Sequence, residues 1–483
     1  MPSITYKLNE KVCLINPPLN MEDRFWYPIG IATIASYLRK EGIRVEVIDI
    51  IGENLSRDDF IERLKKTDAQ IFGIGGLITA FNEVVWIADT IRKVQNSAFI
   101  FAGNSVAYTI PEILLNNSEI DVVVMGEGEI TSVELINSIN SFKNVKGIVY
   151  KNENDEIVKT PSQKPIENLD DIPFPAWDLI PMQSYFGNLG QKMYPISTVR
   201  GCPYSCTFYC KTFMGYTVRA RSAQSIIEEL LEVKRRFNIG YIYFFDDLFI
   251  YDKKRVLEFC KLKNTYNALR DLQWEASARV NLIDEELVKA MKGAGCVQLG
   301  FGFESADQAV LDGYNKKATV EQAQGAIDLC HKYNIDLSAS SFMVGAINET
   351  SDSMKKGYDF CRKNKLRYEP HFVTPFPLTP LYDYALKKGI IEDELEYIKG
   401  ISKQGNTNYL FLNLTHLTDE ELIETRNKYI YFPPDSIQLK IKRGINIMKT
   451  AGTKNFLKKT KVYILRKLMK KQKIEEKYSN IWN

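Results

Sequence analysis

The chain repeats one pattern along most of its length: a short β-branched or apolar run, a turn of Gly, Pro, Asn or Asp, then a longer amphipathic stretch. The apolar runs are too short for buried helices, and the stretches between them place apolar residues at helical spacing, so each repeat reads as strand, loop and helix. Such units pack as parallel strands covered by helices, because a parallel connection needs a crossover long enough to hold one. The expected class is therefore α/β, and ligands are expected beyond the carboxyl ends of the strands.

In the first series the strands are expected at Val12–Ile15, Val45–Ile50, Ile71–Gly75, Ala98–Ala102 and Val122–Met125, with helices near 29–41, 57–66, 82–95, 111–117 and 129–140. This is a Rossmann-like or flavodoxin-like unit over residues 1–150. A linker follows over 151–190, where Asp170, Asp171, Pro173, Pro175 and Pro181 force extended backbone around Trp177. The second series, 191–390, places strands at Ile196–Val199, Tyr241–Phe245, Trp274–Ala278, Val297–Phe301, Asp336–Phe342 and Glu369–Val373, with helices near 222–236, 253–267, 284–293, 319–333 and 351–363. Six such units predict a partial (β/α)6 barrel with its site on the loops after the strands. Residues 391–483 read as a helical region ending in a basic tail.

A length of 483 residues fits two or three domains, given that domains cluster at roughly 100 to 200 residues. With 45% apolar and 25% charged residues the chain is globular, which excludes disorder and coiled coil. No apolar run approaches the roughly 18 residues of a membrane span. The start, Met-Pro-Ser-Ile-Thr-Tyr-Lys, lacks the apolar core of a secretory signal, so the expected location is the cytoplasm, and eight cysteines there argue against a disulfide scaffold. The net charge of +3 divides unevenly: residues 437–483 hold 14 Lys and Arg against Glu475 and Glu476, or +12, which leaves −9 on the rest. With Leu439, Ile441, Ile445 and Leu465 among its lysines, that tail reads as basic amphipathic helix, a cap on the barrel or a contact for a polyanion or a membrane surface.

The sharpest signal is the run Thr198-Val199-Arg200-Gly201-Cys202-Pro203-Tyr204-Ser205-Cys206-Thr207-Phe208-Tyr209-Cys210 after the first strand of the second series. Cys202, Cys206 and Cys210 put three thiols on one loop, and thiolate favours zinc or iron–sulfur over hard cations. Structural zinc asks for a fourth Cys or His at matching spacing, and the three histidines, His331, His371 and His416, are isolated. An iron–sulfur cluster with one open iron fits better. Cys13, Cys260, Cys296, Cys330 and Cys361 read as small buried hydrophobes.

This loop resembles that of the radical S-adenosylmethionine (SAM) superfamily, CxxxCxφC, and the resemblance covers the whole second series. Phe245-Asp246-Asp247, Arg279, Gly302-Phe303-Glu304-Ser305 and Met343-Val344-Gly345 with Glu349 match in order around the strands. The resemblance implies a 4Fe-4S cluster on Cys202, Cys206 and Cys210. It implies SAM held by Asp246 or Asp247 at the amine, Arg279 at the carboxylate, Glu304 and Ser305 at the amine or ribose, and the backbone near Phe208 at the adenine. It also implies an external electron donor such as flavodoxin or ferredoxin. The family's spacing would put the third thiol at Tyr209; here it comes one residue later.

The first series resembles the cobalamin-binding domain of the cobalamin-dependent radical SAM class, through Asn16-Pro17-Pro18, Tyr27-Pro28-Ile29-Gly30-Ile31, Gly73-Ile74-Gly75-Gly76, Gly126-Glu127-Gly128-Glu129 and the linker motif Ile172-Pro173-Phe174-Pro175-Ala176-Trp177-Asp178. That implies cobalamin against Gly75, Gly76, Gly103 and Gly126, where glycine lets the backbone approach a large ligand. No histidine lies in residues 1–150, and in Gly103-Asn104-Ser105-Val106-Ala107 an Asn and a branched residue narrow the space for a corrin. The expected function is reductive SAM cleavage on a small-molecule substrate, with cobalamin-associated methyl transfer or C–C bond chemistry in secondary metabolism. One alternative is transfer of a 3-amino-3-carboxypropyl group, for example to arsenite as in arsinothricin biosynthesis, with a vestigial cobalamin domain. The other is a non-catalytic cofactor-binding regulator.

Overall fold

The computed structural model describes residues 11–18, 27–210, 214–404 and 408–433. The basic tail from 437 onward lies outside the described residues. The first unit is a seven-stranded sheet in the order β2-β1-β3-β4-β5-β6-β7, with β1 (Val12–Asn16), β2 (Val45–Asp49), β3 (Ile71–Gly75), β4 (Phe99–Gly103), β5 (Val122–Val124), β6 (Ile148–Lys151) and β7 (Ile157–Lys159). The first five strands are parallel in the flavodoxin-like order. Their connecting helices are α1 (Ile29–Lys40), α2 (Arg57–Lys65), α3 (Phe81–Val94), α4 (Asn104–Thr109), α5 (Pro111–Asn116) and α6 (Gly128–Asn137).

The last two strands form an antiparallel hairpin that carries the sheet past the expected boundary at 150. Its turn is set locally: Asn152 Oδ1 accepts from the amides of Asn154 and Glu156, and Asp155 takes a positive φ of 61°. The linker is also more structured than expected, since α7 (Met182–Leu189) lies inside it.

The second unit is a six-stranded, wholly parallel half-barrel in sequence order: β8 (Met193–Ile196), β11 (Tyr241–Phe244), β12 (Gln273–Ala278), β13 (Cys296–Glu304), β14 (Ser341–Val344) and β15 (His371–Phe372). A separate two-stranded ribbon, β9 (Val199–Arg200) with β10 (Arg219–Ala220), closes the cysteine loop. Helices α8 (Ala223–Phe237), α9 (Lys253–Thr265), α10 (Glu285–Gly293), α11 (Gln308–Gly313), α12 (Val320–Lys332) and α13 (Ser351–Lys363) connect the strands. The fifth barrel strand starts later than the expected Asp336, because Asp336 accepts from the amide and hydroxyl of Ser338 and folds that stretch into a turn. Three more helices follow, α14 (Pro380–Lys387), α15 (Glu394–Gln404) and α16 (Asp419–Lys428).

One apolar core runs from Leu14 and Phe101 under the first sheet, through the linker aromatics Trp177 and Tyr185, to Ile226, Phe244 and Trp274 behind the barrel. The other face of the first sheet is covered by α2, α3 and α5 and receives Ile398 of α15. Asn82, at the start of α3, donates from its amide to Ser402 Oγ (2.9 Å) and from Nδ2 to Lys399 O (3.0 Å), so the C-terminal region docks back on the first unit. The five cysteines outside the loop are all buried.

Candidate active site

Strand alternation decides which barrel residues face inward. On β12, Glu275 and Ser277, and Arg279 just past its end, alternate with the buried Trp274, Ala276 and Ala278; on β13, Gln298, Gly300, Gly302 and Glu304 alternate with buried Leu299, Phe301 and Phe303. These inward positions line a cavity of about 500 Å3 that is roofed by the cysteine loop through Cys202, Cys206, Phe208 and Tyr209. Tyr27 and Ile29, which lead into α1, also line it, so the first unit contributes directly to the wall.

The cysteine loop is fixed at its base. Gly201 has a φ of +89°, and a side chain there would run into the Thr217 carbonyl, so only glycine closes the ribbon. The Cys202 amide donates to Gly215 O (3.2 Å), the Thr207 amide to Tyr314 O (3.0 Å), and the Leu381 amide to Thr207 O (3.2 Å). Burial raises the Cys202 thiol above its ordinary value. Arg279 lies with Nη1 3.9 Å from Cys206 Sγ and its guanidinium 3.5 Å over the Tyr204 ring, and it donates to Lys316 O.

Of the SAM-binding expectations, Arg279, Asp247, Glu304 and Phe208 meet at this cavity. Asp246 does not. It is 3% exposed and accepts from the Thr198 amide (2.6 Å), the Val199 amide (3.0 Å) and the Thr198 hydroxyl, so it anchors the strand end below the cysteine loop. Ser305 is buried and accepts from the Asp307 amide (3.1 Å), which makes it part of the turn into α11. Glu349 is also buried, bonded to Ser353. Several cavity residues escaped sequence reasoning as ligand contacts, Lys316 and Tyr209 among them. Lys316 pairs with Glu304 at 2.5 Å, and nothing in its local sequence marks it, since it enters through a loop after α11. Tyr209, at the family's third-thiol position, sits on the wall and donates its hydroxyl to Asp247.

Cys210 is not among the residues lining the cavity; it is close enough to Tyr108 of α4 that, after burial, it also raises that phenol. Among the described residues no three His, Cys, Asp or Glu side chains are gathered as metal ligands. The donor chemistry still suits an iron–sulfur cluster: Cys202 and Cys206 face the cavity, with Cys210 on the same loop.

At the strand ends of the first unit the expected glycines divide. A side chain at Gly75 would press on Ile31 and one at Gly76 on Val84, so these two serve internal packing. Gly103 and Gly126 face open space, with Gly126 at φ +89°, and there a large ligand can reach the backbone. Val106 is fully buried in the sheet core and does not narrow that space; Asn104 is exposed. The residues present thus fit a corrin at β4 and β5.

A family model for the radical SAM superfamily matches residues 196–361, and one for the B12 binding domain matches residues 23–136. An uncharacterized methyltransferase of Pyrococcus horikoshii is 32% identical over 412 residues, covering 84% of this chain and 87% of that protein. Cytidylyl-2-hydroxyethylphosphonate methyltransferase of Streptomyces wedmorensis is 25% identical over 489 residues, covering 87% and 89%. Among solved structures, the radical SAM methyltransferase TsrM of Kitasatospora setae, with cobalamin and a [4Fe-4S] cluster bound, aligns with a TM-score of 0.68 at 19% identity over 80% of this chain and 79% of that one. The chain belongs to the radical SAM superfamily, in the class with an N-terminal B12-binding domain, and is an enzyme of transferase type. The regulator reading falls away with that. No described helix is long and apolar enough to cross a membrane.

Proposed function

We propose that this chain is a cobalamin-dependent radical SAM methyltransferase that modifies a small molecule held in the barrel cavity. The observation that carries the reading is the shared wall: Cys202, Cys206, Arg279 and Glu304 of the barrel and Tyr27 and Ile29 of the B12-binding unit line one chamber. When bound, the 4Fe-4S cluster supplies an electron for SAM cleavage and cobalamin supplies methyl-transfer chemistry. Cys202, Cys206 and Cys210 would hold the cluster, whose electron would come from an external flavodoxin or ferredoxin. Arg279, pinned by its stack on Tyr204, receives the SAM carboxylate. Asp247 and Glu304 offer carboxylates to the amine, and Phe208 lies where its backbone meets the adenine. Tyr243 and Phe245 add aromatic surface to the cavity wall beside these groups.

A second reading, 3-amino-3-carboxypropyl transfer, is favoured by one observation: Tyr209 rather than a thiol occupies the wall at the family's third-cysteine position. Anaerobic reconstitution with iron, sulfide, cobalamin, SAM and reductant separates the two. Formation of 5′-deoxyadenosine with cobalamin retained supports methyl transfer, and methylthioadenosine supports the second reading. Neither product, with iron too low for a cluster, defeats both.

A further inference from the structure

The motif Gly126-Glu127-Gly128-Glu129 has no part in the cavity, yet its two carboxylates are nearly sealed from solvent, with Glu127 6% and Glu129 3% exposed. Both reach across the seam between the units. Arg200 of β9 sets Nη2 2.5 Å from Glu129 Oε1 and Nη1 3.4 Å from Glu127 Oε2. Arg219 of β10 sets Nη2 2.5 Å from Glu127 Oε1 and donates from Nη1 to Ile166 O at 2.6 Å. Glu127 Oε2 also accepts from the Ile166 amide (2.8 Å), so the carboxylate is bonded on both oxygens.

The ribbon itself explains why the carboxylates are needed. Arg200 and Arg219 are register partners on adjacent strands, two like charges side by side in a buried place. Such a pair opposes ribbon closure unless anions sit against it. The anions come from the other unit, and the ribbon they neutralise is the one that closes the loop carrying Cys202 and Cys206. A buried charge cluster is a poor source of net stability but admits few alternative geometries.

We propose that Glu127 and Glu129 are positioning residues: by neutralising Arg200 and Arg219 they close the β9–β10 ribbon and fix the cysteine loop at one place relative to the B12-binding unit. The proposal rests on the proposed function only in taking that loop as the cluster's seat. Glu129→Gln keeps the shape and removes the anion. In the full chain without added cofactors, hydrogen exchange at the amides of Val199 to Cys202 and Arg219 to Arg221 is expected to rise about tenfold, the scale of unpairing a buried charge. Strands β11 to β13 keep their protection. Arg200→Lys gives a smaller rise, because an ammonium cannot fork to both carboxylates. Arg39→Ala, which breaks the exposed Arg39–Asp178 pair elsewhere on the seam, gives none. Unchanged ribbon exchange in Glu129→Gln and in Glu127→Gln, or a rise spread through β11 to β13, overturns the proposal. In loaded protein, the magnetic coupling between reduced cluster and cob(II)alamin is expected to weaken and broaden in Glu129→Gln, and wild-type coupling there also overturns it. Absence of a cobalamin signal in the wild type counts against the proposed function, and the exchange experiment still decides this one.

Discussion

The two sheets start their helices differently. In the barrel, α8 to α13 each begin on a side chain that accepts from the helix's own first turn: Ser222, Asp252, Asp284, Asp307, Thr319 and Thr350. In the first unit, α2 has such a cap, a Ser56–Asp59 capping box, whereas α1, α3, α4, α5 and α6 carry none. Ser402 of α15 covers the start of α3, and Pro111 at the head of α5 has no N–H to satisfy. On α4 the Ser105 amide donates to Asn104 Oδ1 (2.7 Å) and the Val106 amide to Gly76 O (3.0 Å). That leaves α1 and α6, which follow β1 and β5, with no side-chain cap among the described residues. Uncapped helix starts suit a ligand with polar groups at its rim. The barrel closes its helices with its own side chains and puts its chemistry on charged groups projecting from strands. The first unit offers backbone, the second side chains.

That difference predicts where substitutions hurt. The largest effect belongs to the barrel's thiols. Cys202→Ala, Cys206→Ala and Cys210→Ala are each expected to prevent a SAM-cleaving 4Fe-4S cluster, lowering turnover by on the order of a thousandfold or more, as for groups that act as one unit. Iron and sulfide content with SAM cleavage checks this, and a Cys210→Ala protein that still cleaves SAM shows that another group is the third ligand. Arg279→Lys comes next. It keeps a charge but loses the planar stack on Tyr204 and the fork that can meet a carboxylate, so SAM affinity is expected to fall about 10- to 100-fold by calorimetric titration. Unchanged affinity removes Arg279 from the SAM site.

Glu349 tests the polar interior of the barrel through pH. Burial raises its carboxyl to about 7, and its Oε2 has no hydrogen-bond partner among the described residues. A folded-state value above the unfolded one means the protonated form is favoured: its stability is fully present below pH 4.5, the ordinary value, and is lost as pH rises through 7. Glu349→Gln, neutral at every pH, is therefore expected to leave the melting temperature near that of the parent at pH 5. At pH 8 it should raise it by a few degrees, reflecting at most about 3 kcal/mol. The same increment at both pH values contradicts the assignment.

The contrast also explains what the sequence revealed. Helical spacing and short apolar runs are local, so the helices near 222–236 and 319–333, the strand at Trp274–Ala278 and Arg279 just past its end could all be expected from the sequence. The cavity's remaining partners depend on loops meeting in space. Asp246 and Asp247 are adjacent and chemically identical, yet one anchors Thr198 and the other opens on the cavity, which alternation past a strand end decides only once the loop path is known. Lys316 had no local mark. In the first unit, the glycine pattern signalled strand ends but not which glycines face a ligand, because Ile31 and Val84 press on Gly75 and Gly76 from helices elsewhere in the chain.

Those glycines give the finest test. At Gly76 a Cβ would lie 2.6 Å from Val84 Cγ2, a stiff β-branched side chain inside the core. Gly76→Ala is expected to cost about 1 to 3 kcal/mol through overpacking, read as a lower melting temperature with or without cobalamin. At Gly103 a Cβ meets nothing within 4 Å and the backbone is extended, at φ −138°. Gly103→Ala should therefore change stability by no more than about 0.5 kcal/mol, while the added methyl occupies the space over β4 and lowers cobalamin retention. If Gly76→Ala instead spared stability and lost cobalamin, the division between packing glycines and ligand-facing glycines would be reversed. If Gly103→Ala kept both, the corrin would have to sit away from β4.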